Sequence, residues 1–344
     1  MIPIYNSWLI QIEITNACNI GCANCTRCVG HHRKPYFMDL DFIEKAIDSL
    51  KGFSGGIGIM GGEPTLHPQF EEICKLLQRK KVTHKCAIWT SGYKWDEYKE
   101  LIKKTFGRGV YYNDHRSFKQ RHQPILVAIK DVIKDEKLMW RLIDNCWIQE
   151  CWSPSINPKG GFFCEVAAAL DLLFNGPGGY PIEPGWWNKT VREFQDQVKR
   201  YCPMCGASLP FNCPSNKEAY DLVSISNYKK LLKIKSPKAL AGRVKIFNKK
   251  MGKKEIMELI KNWKPWNYLG GDYRKKDLKP DEIFIIRGLF PKHVILSFLR
   301  HPFSGLSTVI KHPGVTSKLV LRAITKKIMK KNQEEAHPYN NLKL

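Results

Sequence analysis

The sequence predicts an α/β fold that opens with a parallel sheet, and three observations carry this. Short apolar strands alternate with amphipathic helices from residue 8 to residue 92. Each strand runs into a loop bearing cysteine, glycine or serine. The spacing is that of βα units. Right-handed crossovers then bring the strand C-termini to one end, where parallel α/β barrels carry their active sites.

Taken in order, residues 8–15 alternate apolar and polar side chains from Ile10 onward, which predicts a strand with the first cysteines on the loop behind it. Residues 39–51 place Leu40, Ile43, Ala46, Ile47 and Leu50 on one stripe, a helix with Asp39 or Asp41 as N-cap and Gly52 just past its end. Ile57-Gly58-Ile59-Met60 is a short buried-type strand ending at Gly61-Gly62. Residues 70–80 are helical, and Cys86 to Thr90 form a strand before Ser91-Gly92. Beyond about residue 140 the chain becomes rich in Cys, Trp, Pro and Gly. These shifts divide it into residues 1–140, 141–226 and 227–344.

Charge marks the last boundary. The net charge is +24, and residues 227–344 hold 28 Lys and Arg against 8 Asp and Glu, while the rest is nearly balanced. Such a basic third, interleaved with aromatics at residues 263–268, suits an anionic partner, either nucleic acid or an anionic membrane surface near residues 290–303. A solvated basic surface is the plainer alternative, and the excess of Lys over Arg favours it. No run reaches 18 apolar residues and the N-terminus has no basic, signal-like start, so a cytoplasmic, reducing compartment is expected. The twelve cysteines are then metal ligands or buried apolar residues rather than disulfides.

Cys18, Cys22 and Cys25 form Cys-x3-Cys-x2-Cys. One reading is a structural zinc site completed by Cys28, His31 or His32. This would make the protein a non-catalytic zinc-binding nucleic-acid module. The other is an iron–sulfur cluster with one iron left open. The second reading gains from Gly61-Gly62-Glu63-Pro64 at the end of the next strand, which zinc leaves unexplained. In the middle third, residues 155–164 predict a β-hairpin presenting Cys164, and Cys202-Pro-Met-Cys205-Gly206 is a metal knuckle. Cys74 and Cys86 fall within elements and are expected in the core. Residues 111–122, with Asp114, His115, Arg116, Arg121 and His122, are a candidate substrate-lining loop or an exposed one.

Glu13 to Cys22, followed by Gly61-Gly62-Glu63-Pro64 and Thr90-Ser91-Gly92, resembles the radical S-adenosylmethionine (SAM) enzymes in order and spacing. The resemblance implies a partial (β/α)6 TIM-like barrel. It also implies a [4Fe–4S] cluster on Cys18, Cys22 and Cys25 whose open iron takes SAM. Gly61, Gly62, Glu63 and Pro64 would then lie at the SAM amino group, and Ser91 near the ribose. Asn24 stands where the family usually has an aromatic residue near the adenine. The middle cysteines resemble a Twitch-type auxiliary domain, a short relative of SPASM domains. That implies a cysteine-rich auxiliary-cluster region with a second [4Fe–4S] cluster on Cys146, Cys164, Cys202 and Cys205, and with Cys151 and Cys213 as alternates. The implied activity is reductive SAM cleavage to a 5′-deoxyadenosyl radical that abstracts hydrogen. The implied partners are an electron donor such as flavodoxin or ferredoxin and a sugar- or aminoglycoside-like metabolite or a peptide, dehydrogenated or epimerised. A nucleic-acid-modifying enzyme is the alternative, and a basic, mainly helical C-terminal extension follows the two cluster regions.

Overall fold

The computed structural model describes residues 1–112, 122–151, 154–211 and 220–262. Its centre is a six-stranded sheet in the order β4-β3-β2-β1-β5-β6. The chain enters through β1 (Leu9–Thr15), α1 (Leu40–Ser49), β2 (Gly56–Gly61), α2 (Phe70–Arg79), β3 (Cys86–Thr90), α3 (Trp95–Phe106) and β4 (Val110–Tyr112). Each strand of this series pairs in parallel with the one before it. The predicted α/β class therefore holds. Asp39 caps α1 by accepting from the Phe42 amide, and Gly52 turns the chain with φ +84°. Residues 93–110 bore no prediction, yet α3 shows a readable stripe of Trp95, Tyr98, Leu101, Ile102 and Phe106, and Tyr111 and Tyr112, expected to open the loop of residues 111–122, belong to β4 instead. The three residues of β4 are too few to show a period.

Three short helices follow, α4 (Ile129–Val132), α5 (Glu136–Asp144) and α6 (Ile148–Cys151). The predicted hairpin then forms from β5 (Ser155–Asn157) and β6 (Gly160–Phe162), with Asn157 Oδ1 accepting from the Lys159 amide in the turn. The β5 strand does not extend the series past β4. It returns to the other side of β1, parallel to it through Gln11–Ser155 and Ile12–Ile156, so β1 is central. Helices α7 (Glu165–Leu173) and α8 (Gln195–Tyr201) come next. The described chain closes with β7 (Asp221–Ser224), α9 (Ile225–Lys233), α10 (Pro237–Leu240), β8 (Val244–Phe247) and α11 (Lys253–Asn262), in which β7 and β8 form a separate parallel pair.

All seven β1 residues are buried. Ile10, Ile12 and Ile14 share one continuous core with Ile43, Ile57, Ile59, Phe70, Ile73, Ile88 and Ile102. Each such side chain contributes about 1.5–3 kcal/mol on leaving water. The polar positions of β1, Gln11, Glu13 and Thr15, are buried as well. The alternation read from the sequence thus marks an apolar face against a buried polar face, not an apolar face against solvent. Cys74 and Cys86 lie in the core as expected. Among the described residues, no helix is long and apolar enough to cross a membrane. The basic segments at residues 263–268 and 290–303 lie outside the described residues, as does Cys213.

Candidate functional site

The loop carrying Cys18, Cys22 and Cys25 leaves the C-terminal end of β1 and is sealed to the end of β2. The Gly62 amide donates to the Thr15 carbonyl at 2.8 Å, and the Glu63 amide to the Ala17 carbonyl at 2.7 Å. Only glycine permits this seam. A Cβ on Gly61 would meet the Thr15 carbonyl oxygen at 2.1 Å, and one on Gly62 would meet the Ala17 oxygen at 2.2 Å. In this structure the glycine pair admits the backbone of the cysteine loop itself.

Glu63 is buried and caps the 3-10 turn Pro64–Leu66. Its Oε1 accepts from the Thr65 amide (3.2 Å), the Thr65 hydroxyl (2.8 Å) and the Thr90 hydroxyl (2.8 Å). Its Oε2 accepts from the Ser91 amide (2.6 Å) and hydroxyl (2.8 Å). Two of the expected cofactor residues, Glu63 and Ser91, are thus brought together, and the carboxylate ties the ends of β2 and β3 into one unit. The Ser91 hydroxyl also lies 3.3 Å from Asn19 Oδ1, and Asn19 adjoins Cys18.

Asn24 is buried with left-handed backbone, φ +51°. Its amide donates to Asp221 Oδ1, and its side-chain oxygen accepts from the Leu222 amide at 2.9 Å. Asn24 therefore joins the cysteine loop to β7. Arg27, between Cys25 and Cys28, turns inward to the polar face of β1. It pairs with Glu165 at 2.9 Å and Glu13 at 3.5 Å, and it donates to Gln11 Oε1. Gln11 also donates to Glu165 at 2.6 Å, and Ser155 to Glu13 at 2.5 Å. Arg27 Nη1 has no hydrogen-bond partner among the described residues. The zinc reading meets an obstacle at His31, because Asp221 and Ser236 occupy its two ring nitrogens at 2.6 and 2.7 Å. His122 is buried with Nδ1 3.0 Å from the Ala23 carbonyl, while residues 113–121 lie outside the described residues.

The second cysteine set also gathers. Cys164 stands two residues past the end of β6, at the N-cap position of α7. Cys202 and Cys205 form the expected knuckle, with the Cys205 amide on the Cys202 carbonyl (3.1 Å) and the Ala207 amide on Cys205 Sγ (3.3 Å). Burial pushes the Cys202 and Cys205 thiols well up, and in each case Cys146 and Cys164 add to the effect. All four are therefore within electrostatic reach of one another. Cys151 ends α6.

In the first set, burial raises the Cys18 thiol to about 12, helped by Cys25 and Glu63. Cys22 is pushed up by burial, then by Cys25 and Cys18, and is eased by Lys238. Thiols such as Cys18 and Cys22, whose ionisation burial and neighbouring cysteines oppose, suit a cationic metal centre, which takes them as thiolates. Among the described residues, no three or more His, Cys, Asp and Glu side chains gather tightly enough to hold a single ion. An iron–sulfur cluster, with one thiolate per iron, asks for a wider spread than the roughly 4 Å between thiolates on one zinc.

A loop of three thiols at the C-terminal end of β1, sealed to a Gly-Gly-Glu turn on β2, marks an α/β domain with its chemistry-bearing residues at the strand C-termini. Residues 12–113 match the radical SAM superfamily, so the chain contains a radical SAM superfamily domain spanning β1 to β4. Curated relatives include the GTP 3′,8-cyclase of Haemophilus ducreyi, 30% identical over 92 residues. That match covers 25% of this chain and 26% of the relative. The GTP 3′,8-cyclase of Mannheimia succiniciproducens is 27% identical over 101 residues, covering 28% of this chain and 30% of the relative. The matched segments thus span less than a third of these relatives' length. Among solved structures, BtrN in complex with AdoMet and 2-DOIA aligns over 59% of this chain and 89% of that one, at 14% identity and a TM-score of 0.34.

Proposed function

We propose that the protein is a radical SAM enzyme that uses Cys18, Cys22 and Cys25 to hold a [4Fe–4S] cluster and SAM. The observation that supports this most is the sealed seam between that cysteine loop and Gly61-Gly62-Glu63-Pro64, inside the matched superfamily domain. When bound, the cluster would pass one electron from an external donor to the sulfonium of SAM, whose C5′–S bond would break to leave methionine and a 5′-deoxyadenosyl radical for hydrogen abstraction. The chain's own residues orient these groups. Gly61 and Gly62 fix the height of the loop against β2. Glu63, locked by Thr65, Thr90 and Ser91, holds the strand ends that would face the cofactor, with Pro64 next to it, while Asn24 ties the cysteine loop to β7. Arg27, Glu13, Gln11 and Glu165 place charged and polar groups on the inner face of β1. Such a set suits a polar substrate, a sugar- or aminoglycoside-like metabolite or a peptide, better than an apolar one.

Cys146, Cys164, Cys202 and Cys205 would hold a second, fully ligated [4Fe–4S] cluster in a Twitch-like region at residues 141–226, between the core of residues 1–140 and the basic extension of residues 227–344. A flavodoxin- or ferredoxin-like donor and a cytoplasmic setting belong to this reading. Anaerobic purification tests it. A brown protein that forms 5′-deoxyadenosine from SAM and dithionite supports it, and a colourless protein that remains so after iron and sulfide reconstitution refutes it.

A further inference from the structure

We propose that the segment of β7 and α10 completes the first cluster site, with Lys238 as a positioning residue whose fixed positive charge eases cluster reduction and Asp221 as its counter-charge. The inference rests on the reading of Cys18, Cys22 and Cys25 as cluster ligands. Lys238 Nζ donates to the Cys22 carbonyl at 2.9 Å and to Asp221 Oδ1 at 2.6 Å. Asp221 in turn takes the Asn24 amide and His31 Nε2, the latter at 2.6 Å. Ser236 holds the other His31 nitrogen at 2.7 Å. One buried network from the C-terminal side therefore grips the cysteine loop at Cys22, at Asn24 and again at His31.

This exceeds what a loop clamp needs. Lys238 is 5% exposed and Asp221 2%, so their charges act with little solvent screening. The ammonium lies directly on the backbone of a ligand residue. A cluster that accepts an electron becomes one unit more negative. A positive charge held at Cys22 stabilises that state, and an uncompensated carboxylate would destabilise it.

The two charges predict shifts of opposite sign. The full chain is reconstituted anaerobically, and its SAM-responsive electron paramagnetic resonance signal is titrated against potential for the unsubstituted protein, K238M, K238R and D221N. Iron content and far-UV circular dichroism are measured on the same samples. The expected result is a midpoint lowered in K238M, raised in D221N and close to the unsubstituted value in K238R. Midpoints that stay put, or that move the same way in K238M and D221N, overturn the proposal. So does loss of the cluster in both, which would leave the network a structural clamp alone. Absence of any SAM-responsive signal in the unsubstituted protein would instead refute the cluster reading itself.

Discussion

Replacing Gly62 with alanine tests the seam on which the cysteine loop depends. The added Cβ would lie 2.2 Å from the Ala17 carbonyl oxygen and 2.8 Å from Cys18 Cβ, where ordinary contact begins at 3.4 Å. The obstructing oxygen belongs to backbone, so no rotamer change relieves it. The loop must retreat by about 1 Å, an overpacking that costs about 1–3 kcal/mol. That retreat stretches the 2.7 Å bond from the Glu63 amide to Ala17, which adds about 1 kcal/mol. A loss of about 2–4 kcal/mol corresponds to a Tm lower by roughly 3–6 °C in a chain of this size. Thermal melting by circular dichroism and the iron-to-protein ratio after reconstitution measure both consequences. Gly252→Ala is the matched control, because nothing lies within 4 Å of its added Cβ. A Gly62→Ala protein with the control's Tm and full iron would refute the reasoning.

Three further outcomes are expected. Glu63→Gln should cost about 1–3 kcal/mol in a denaturant titration. Each carboxylate oxygen accepts a backbone amide, from Thr65 or Ser91, so either amide orientation sets an NH2 group against an N–H donor. Cys202→Ala should lower reconstituted iron from about eight to about four per chain while SAM cleavage to 5′-deoxyadenosine persists, and an unchanged iron count would remove the second cluster. Asp131 gives a pH signature at the start of α9. Burial alone would raise its carboxyl, but the Ser226 amide donating at 3.0 Å, the nearby serine side chains and Lys130 outweigh it and hold the pKa below its ordinary value. A depressed carboxylate stabilises the fold above its unfolded value and loses that contribution as pH falls through the folded one. Asp131→Asn should therefore flatten the stability slope below about pH 4, by a modest amount because the group is largely solvated. A slope identical to that of the unsubstituted protein would remove Asp131 from the acid response.

Much of this architecture was legible because its signals are local. The stripe from Leu40 to Leu50, the Asp39 cap, the Asn157-Pro158 turn with its following glycines and the Cys202–Cys205 knuckle each fit within about a dozen residues. The radical SAM resemblance rested on three such local motifs in order. What escaped is non-local. Nothing marks Lys238 among the many lysines of the basic third, and its role appears only once α10 folds back onto Cys22. Asp221 and Asn24 lie almost two hundred residues apart and meet across β7. Arg27 was hidden in plain view between two cysteines, since its partners are Glu13 on the buried face of β1 and Glu165, 138 residues on at the start of α7. The buried polar face of β1 reads as a solvent face until Arg27 and Glu165, at the start of α7, pack against it. The placement of β5 beside β1, rather than beyond β4, is likewise fixed by long-range pairing that no periodicity records.

The central claim is that Cys18, Cys22 and Cys25 form the SAM-cleaving centre. Its most direct test is 5′-deoxyadenosine formation by the anaerobically reconstituted protein beside its Cys22→Ala variant, with dithionite as reductant. The account predicts product from the first and none from the second, with the iron on the auxiliary cysteines retained in both. Equal product from Cys22→Ala would contradict it.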